Sequence, residues 1–389
     1  MFELTEILSA IGIGGLGAYL GIFALKFALS WRYASLHRET EVAEAPITVM
    51  QPILSGDPFL AFSLRHNLEV TPSFATFLWL LDENDAEAWR IADSLVSQWP
   101  DRVRLLSCPA APANVNPKSY KLQHALTQIT TPYVAVLDDD TILEDQNLGK
   151  AIVALESCDL YTGLPCYLPG GNFWSSLVTH FVNNNSIVTY LPVLHFLPPI
   201  SINGMFYVLR TQKLRDIGGF TPILDQLCDD YALARLVKSH GGVIRQAITP
   251  VLLHTTVTGI GHYVRLMHRW FVFARVLTRD QPIGVLALLF VFLGLPPVLL
   301  WMSLLTFFGG WFALALPVAL VVRHLCLRLL HHLVFGRASS FSIVDSLVVE
   351  LLQPLHWLHA TFQKTLRWRT RVIHLEHNGV FRTIAEESR

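Results

Sequence analysis

No Cys-x-x-Cys pair occurs in the sequence, and its five cysteines, Cys108, Cys158, Cys166, Cys228 and Cys326, are odd in number and scattered. That argues against a disulfide framework and a zinc site and leaves ordinary reduced thiols. The sixteen histidines are dispersed too; His331 and His332 adjoin, but in a basic run rather than a ligand pattern. Charge is scarce: 15% of residues are Asp, Glu, Lys or Arg, and the formal net charge is −1. Without a basic excess, no nucleic-acid partner is expected. A glycine-rich dinucleotide fingerprint and a P-loop are also missing, so NAD binding and kinase-like phosphoryl transfer find no support.

Apolar residues are abundant instead, at 52% of the 389. That is too greasy for an average soluble enzyme and too charged for a pure membrane bundle, so a mixed architecture is expected. Between Glu6 and Lys26 lie 19 residues without a charge, enough for one membrane span. The acidic flank of Glu3 and Glu6 is wrong for a signal peptide. Lys26, Arg32 and Arg38 follow, and their positive-inside bias puts the next segment in the cytoplasm. A second block, Ile283 to Val322, runs 40 residues uncharged, with a hairpin expected at Phe307–Gly310, before it meets Arg323, His324 and Arg328. From Ile343 to Phe362 the chain is apolar but interrupted by Asp345, Glu350 and Pro354, which reads as an interfacial or re-entrant helix. The expected organisation is a transmembrane anchor over 1–31, a cytosolic catalytic domain over 45–272, a transmembrane hairpin over 283–327, the interfacial helix over 343–362 and a cytosolic tail over 363–389.

From Pro46 to Leu143 short β-rich runs alternate with helical patterns, which predicts an α/β domain with a doubly wound, mostly parallel sheet. One of its strands, YVAVL, delivers Asp138, Asp139 and Asp140 without an intervening turn residue. Adjacent acids repel, so they belong either in water or against a cation. In open α/β sheets ligands collect at the carboxyl ends of strands, where a hard divalent ion finds carboxylate oxygens. Spaced as Asp-x-Asp, Asp138 and Asp140 suit Mg²⁺ or Mn²⁺ on a diphosphate. A second strand ends in LLDENDAEA, which brings Asp82 and Asp85 to another acidic tip. Asp229 and Asp230 fall in the first turn of a predicted helix, where acids also serve simply to complement the helix dipole. Arg265, Arg269 and Trp270 lie in a basic amphipathic helix shortly before the membrane.

Taken in order, LLDEND, NPKSYKL, LDDDTIL, CDDYALA and RLMHRW, set between an N-terminal span and C-terminal spans, resemble the inverting GT-A glycosyltransferases of family 21, whose best-known members are ceramide glucosyltransferases. The tail LRWRTRVIHLEHNGVF is similar to that family's Trp-Arg-x-x-Arg-rich ending. The resemblance implies a Rossmann-like GT-A fold, a UDP-sugar donor such as UDP-glucose, and Asp82 on the uridine. It implies Asp138 and Asp140 around the metal and diphosphate, and Asp230 as the base. Arg269 and Trp270 belong to a (Gln/Arg)-x-x-Arg-Trp motif, and Asp85, Lys118 and Arg265 join the donor pocket. Two positions depart from the family pattern. Leu266 stands where the family has Gln or Arg, with Arg265 one residue further away; a helical shift of about 100° makes Arg265 a substitute only if the backbone is irregular there. Asp229 stands where relatives commonly have Glu.

For the acceptor, the apolar, aromatic segment from Gly170 to Ile202 fits either core packing or a membrane-facing wall admitting a lipid headgroup. A different lipid acceptor (hopanoid, sterol or diacylglycerol), a processive polysaccharide synthase and an inactive membrane-anchored UDP-sugar-binding protein are the competing readings. Two spans after the catalytic domain count against a polymer channel. The sequon Asn184-Asn185-Ser186 falls in a segment expected to be cytosolic, and so to stay unmodified.

Overall fold

The computed structural model describes residues 2–306, 312–337, 342–363, 365–368, 371–376 and 379–386; the expected hairpin at Phe307–Gly310 lies outside them. By its internal packing the chain divides into two units, one of Glu39–Pro165, Pro199–Thr256 and Lys364–Arg389, the other of Met1–Arg38, Cys166–Pro198 and Val257–Gln363.

The first unit is built on an eight-stranded sheet. Its strands are β1 (Ile47–Ile53), β2 (Ala75–Asp82), β3 (Val103–Cys108), β4 (Tyr133–Leu137), β5 (Thr141–Ile142), β6 (Leu160–Leu168), β7 (Phe206–Arg210) and β8 (Ile244–His254), in the order β3-β2-β1-β4-β7-β6-β8-β5. The first four are parallel, as the alternation of strand and helix predicts; β7 then runs antiparallel to both β4 and β6, and β5 antiparallel to β8. Near-continuous burial along β1, β2 and β4 follows from having helices on both faces. On one face Val49, Trp79 and Ala135 pack with Leu64 of the helix Leu60–Val70 and Ala92 of the helix Ala86–Val96. On the other, Met50, Leu80 and Val136 pack with Leu122 of the helix Pro117–Leu126 and Leu233 of the helix Asp229–Ser239. Successive residues along a strand enter opposite cores because side chains alternate across it.

Gln51 is the polar exception within β1. Fully buried, it accepts from the Trp79 indole at 3.0 Å and donates to the Asp138 carbonyl at 3.2 Å, linking the sheet core to the tip of β4. A second, antiparallel sheet is formed by β9 (Thr365–Trp368), β10 (Arg371–Leu375) and β11 (Phe381–Glu386). It joins the loop ahead of the helix Asp229–Ser239, with Leu227 N donating to Gly379 O at 3.0 Å.

In the second unit, three helical stretches are long and apolar enough to cross a membrane: Ile7–Leu36, Ile283–Leu305 and Leu314–Phe335. With them pack the helices Phe173–Asn185, Ile260–Arg279 and Ile343–Phe362. Residues 166–198 and 257–272, expected within the catalytic domain, therefore belong by their packing to the unit that carries the spans. Their amphipathic helices pack against Ile343–Phe362, as the tilted contact of Phe271 with His356, 5.5 Å between ring centroids, illustrates. Pro296 and Pro297 interrupt the second span just after a π-turn, Phe290–Gly294. They remove both the i+4 and the i+5 donor of the Phe292 carbonyl, and Lys26 Nζ supplies the missing bond at 2.7 Å. Asn184 is buried and donates to Ser346 Oγ at 3.1 Å, so an unmodified sequon would report this burial as much as sidedness.

Gly163 in β6 sits where a Cβ would lie 2.2 Å from Val251 Cγ2 of β8. Gly163→Ala is expected to lower stability by about 1–3 kcal/mol through overpacking. Thermal unfolding of the double variant Gly163→Ala/Val251→Ala should recover part of that loss, because the second change removes the clashing methyl.

Candidate active site

Four chain segments converge at the carboxyl ends of β1, β2 and β4, and short side chains join them. Leaving β1, Ile53 O accepts from Lys121 Nζ at 3.1 Å, Leu54 N donates to Asp139 Oδ2 at 2.7 Å, and Ser55 N donates to Asp85 Oδ2 at 2.9 Å. Lys121 also pairs with Asp82 Oδ1 at 2.9 Å, at the end of β2. Asp85 is the N-cap of the helix Ala86–Val96, its Oδ1 accepting from Ala88 N at 3.1 Å. With both oxygens on backbone N–H groups, Asp85 holds the loop that follows β1.

Lys118 stands in the first turn of the helix Pro117–Leu126, whose N-cap Asn116 accepts from Lys118 N and Ser119 N. Its ammonium lies 2.6 Å from Asp138 Oδ1 and 3.6 Å from Asp229 Oδ2, and donates to Gly204 O at 2.8 Å. Burial alone would lower the pKa of Lys118, yet Asp138 and Asp229 raise it above its ordinary value, so the ammonium stays charged. Close by, Asp230 Oδ1 accepts from Tyr231 N at 2.7 Å and from Cys228 Sγ at 3.1 Å. Burial, reinforced by Asp229, pushes the Asp230 carboxyl up to about 6. Gly204 makes room for it: a Cβ there would meet Asp230 Cβ at 3.2 Å.

Asp140 is the acid whose environment asks most for a cation. Burial, then Asp139, Asp138 and Asp57, push its carboxyl well above the usual range. Among the described residues no group of three or more His, Cys, Asp and Glu side chains converges as a complete metal site. One or two carboxylates of the β4 tip therefore fit an ion of the Mg²⁺ or Mn²⁺ kind, which keeps water and substrate phosphates in its shell, better than a cage built by protein alone.

Arg265, Arg269 and Trp270 lie on the helix Ile260–Arg279 of the other unit. That helix is continuous, so the irregularity that would carry Arg265 into the position of Leu266 is absent; Arg265 is exposed, four residues and about one turn before Arg269. Trp270 stacks on Phe181 at 5.9 Å between ring centroids and meets Tyr167 edge-on at 6.1 Å. Lys121, Gly204, Asp57 and Cys228 were not anticipated. Lys121 carried a signal, since it sits one turn after Lys118 in NPKSYKL, and Cys228 opens the CDDYALA run; Gly204 and Asp57 are defined only by tertiary proximity.

The sheet with its acidic strand tips is of the GT-A type. A family model described as Glycosyl transferase family 21 matches residues 16–381, and the chain belongs to that family. Ceramide glucosyltransferase 1 of Caenorhabditis elegans is 21% identical over 231 residues, covering 58% of this chain and 48% of that protein, so the match spans about half the relative's length. Among solved structures, the mannosyltransferase PcManGT from Pyrobaculum calidifontis, in complex with GDP-Man and Mn²⁺, superposes with a TM-score of 0.52 at 16% identity, over 89% of this chain and 99% of that one. The likeness bears on the fold. With its three candidate spans, the family 21 glycosyltransferase described here is a membrane protein.

Removing the cation at the centre of the acidic cluster should destabilise it: Lys118→Met is expected to cost about 1–3 kcal/mol, less than the roughly 3–5 kcal/mol of breaking a fully buried ion pair, because Lys118 and Asp138 are both partly exposed. Adding Asp138→Asn should return part of that loss, as judged by thermal unfolding of the intact protein. Strictly additive losses would mean that Lys118 and Asp138 do not interact.

Proposed function

We propose that the protein transfers a sugar, with glucose the favoured candidate, from a UDP-sugar to a hydroxyl of a membrane lipid. Ceramide is the favoured acceptor, and the product is a β-glycosyl lipid. The observation that carries this reading is Asp230, a half-buried carboxylate that desolvation and Asp229 push up to about 6 in the cluster that Lys118 links to the β4 tip. Family membership and the name of the Caenorhabditis elegans relative support the reaction and the acceptor. The Pyrobaculum structure, with its nucleotide sugar and Mn²⁺, supports the donor class and the ion.

In this mechanism Asp230 takes the proton of the acceptor hydroxyl. The resulting oxygen forms a bond to the anomeric carbon from the face opposite the diphosphate, and the bond from that carbon to the phosphate oxygen breaks. UDP leaves with the bonding pair, and a single displacement inverts the configuration. Asp138 and Asp140 would hold Mg²⁺ or Mn²⁺, which when bound offsets negative charge on the departing diphosphate. Asp82, Asp85 and Lys118 order the donor pocket, Asp85 through the loop it caps and Lys118 by fixing Asp138. Arg269 and Trp270 join the set through the motif they match; Arg265, one residue out of that motif on a continuous helix, is left out of it. The basic residues Arg32 and Arg38, at the end of the first span and just beyond it, favour a catalytic face and C-terminal tail in the cytosol; Lys26 lies within the span.

Asp230→Asn is expected to lower turnover by about 10²–10⁴-fold while donor affinity stays within a few-fold, measured by transfer kinetics and direct UDP-sugar binding. An equal loss of donor binding would make Asp230 structural. The base must be ionised, so wild-type turnover should rise with pH through about 6 and level off above it. Lys118 lowers the pKa of Asp230, and its replacement by Met should move that rise to higher pH.

Chelation should stop transfer and added Mn²⁺ or Mg²⁺ restore it, with Asp138→Ala and Asp140→Ala each weakening donor binding. Full activity in chelator would remove the ion from the mechanism.

A further inference from the structure

Within the unit that carries the candidate spans lies an open-mouthed cleft that takes no part in the transfer reaction proposed above. Its lining mixes apolar side chains, such as Phe23 and Phe292, with Tyr19, Lys26, Arg323, Glu350 and Gln353. Charged groups on apolar helices are expensive and call for a partner or a purpose. Glu350 has both: it pairs with Arg323 Nη2 and accepts from Tyr19 OH at 3.0 Å. The cations are less fully provided for. Arg323 is 5% exposed; beside its pair with Glu350 its Nη1 donates to Ser346 Oγ at 3.3 Å, and its buried Nε finds no hydrogen-bond partner among the described residues. Lys26, 8% exposed, has three N–H groups and gives one of them to the neutral Phe292 carbonyl. Two cations against one carboxylate leave the lining with one positive charge in excess. Asp345, the other acid of the helix that bears Glu350, accepts from Ser176 Oγ through its carboxylate and donates its backbone N–H to Ser342 Oγ, and it does not line the cleft.

We propose that this cleft is a binding site for the head of an anionic phospholipid. The phosphate oxygens accept from Lys26 Nζ and Arg323, and the adjoining glycerol oxygens accept from the Gln353 amide. The acyl chains leave along the apolar wall. A phosphate diester supplies several acceptor oxygens and one negative charge, which matches the donors and the excess charge together; charge-assisted bonds of this kind are about twice as strong as neutral ones. The ligand is a resident lipid rather than the sugar acceptor, so the site stands whether or not ceramide is glycosylated.

The test uses the full chain in detergent, stripped of lipid and titrated separately with short-chain phosphatidylglycerol, phosphatidylcholine and inorganic phosphate. Native mass spectrometry counts bound lipid, and thermal unfolding follows its effect. Phosphatidylglycerol should bind at least about tenfold more tightly than phosphatidylcholine, and phosphate alone should not raise the unfolding temperature. Lys26→Met should erase the preference, while Glu350→Gln, which removes the compensating carboxylate, should strengthen it. If Lys26→Met does not fold, Gln353→Leu should weaken phosphatidylglycerol binding in its place. Equal binding of the two lipids, a full effect from phosphate alone, or the same change in Lys26→Met and Glu350→Gln would overturn the proposal.

Discussion

One ammonium group holds the acidic end of the sheet together. Lys118 Nζ reaches Asp138 after β4, Asp229 at the start of a helix, and the carbonyl of Gly204, so three segments distant in sequence meet at one charge. Without it, Asp138 and Asp229 would lose the cation that both of them pair with. Lys121 does the same for Asp82 and the exit of β1. Residual repulsion is concentrated at Asp140, which burial and its acidic neighbours hold in a state that a bound cation would relieve. The same balance tunes Asp230: burial and Asp229 raise its pKa, while Lys118, Cys228 and Tyr231 limit the rise. A base that is ionised near neutrality yet still takes up a proton results from that competition.

Much of this was legible in the sequence because it is local. YVAVL followed by three acids predicted a buried strand with an acidic tip, and the alternation from Pro46 to Leu143 predicted the parallel β3-β2-β1-β4 core. Helix Ile343–Phe362 has the bounds its apolar run suggested. The antiparallel additions of β7, β6 and β8 were not legible, because their pairing depends on long connections rather than on period. For Asp85, sequence gave an acid at a strand tip, and only the coordinates reveal a helix cap with both oxygens engaged. Arg265 was read against a motif; a continuous helix leaves it exposed and one residue out of register with Leu266. Gly204 carries no sequence signal, since it matters only through its distance from Asp230, whereas Cys228 opens the CDDYALA run two residues before Asp230 and only its hydrogen bond was hidden.

In the unit with the candidate spans the same physics operates in a drier setting. Proline pairs deprive a helix of donors, and a lysine from another helix replaces them. An arginine and a glutamate neutralise each other beside a tyrosine. The N-terminal helix thus does more than anchor the chain, because Tyr19 and Lys26 take part in the polar interior of the bundle. That explains why the apolar run of 19 residues ends at a lysine that is buried rather than at the water interface.

The central claim is that one half-buried carboxylate, Asp230, supports a single displacement on a nucleotide sugar by a lipid hydroxyl. Its most direct test is the anomeric configuration of the glycolipid formed when the purified full chain is given UDP-glucose and ceramide in mixed micelles, read from the proton NMR coupling at the anomeric position while UDP release is followed in parallel. The account predicts a β-linked product and UDP release that depends on the lipid. An α-linked product, or UDP released at the same rate without any acceptor lipid, would contradict it.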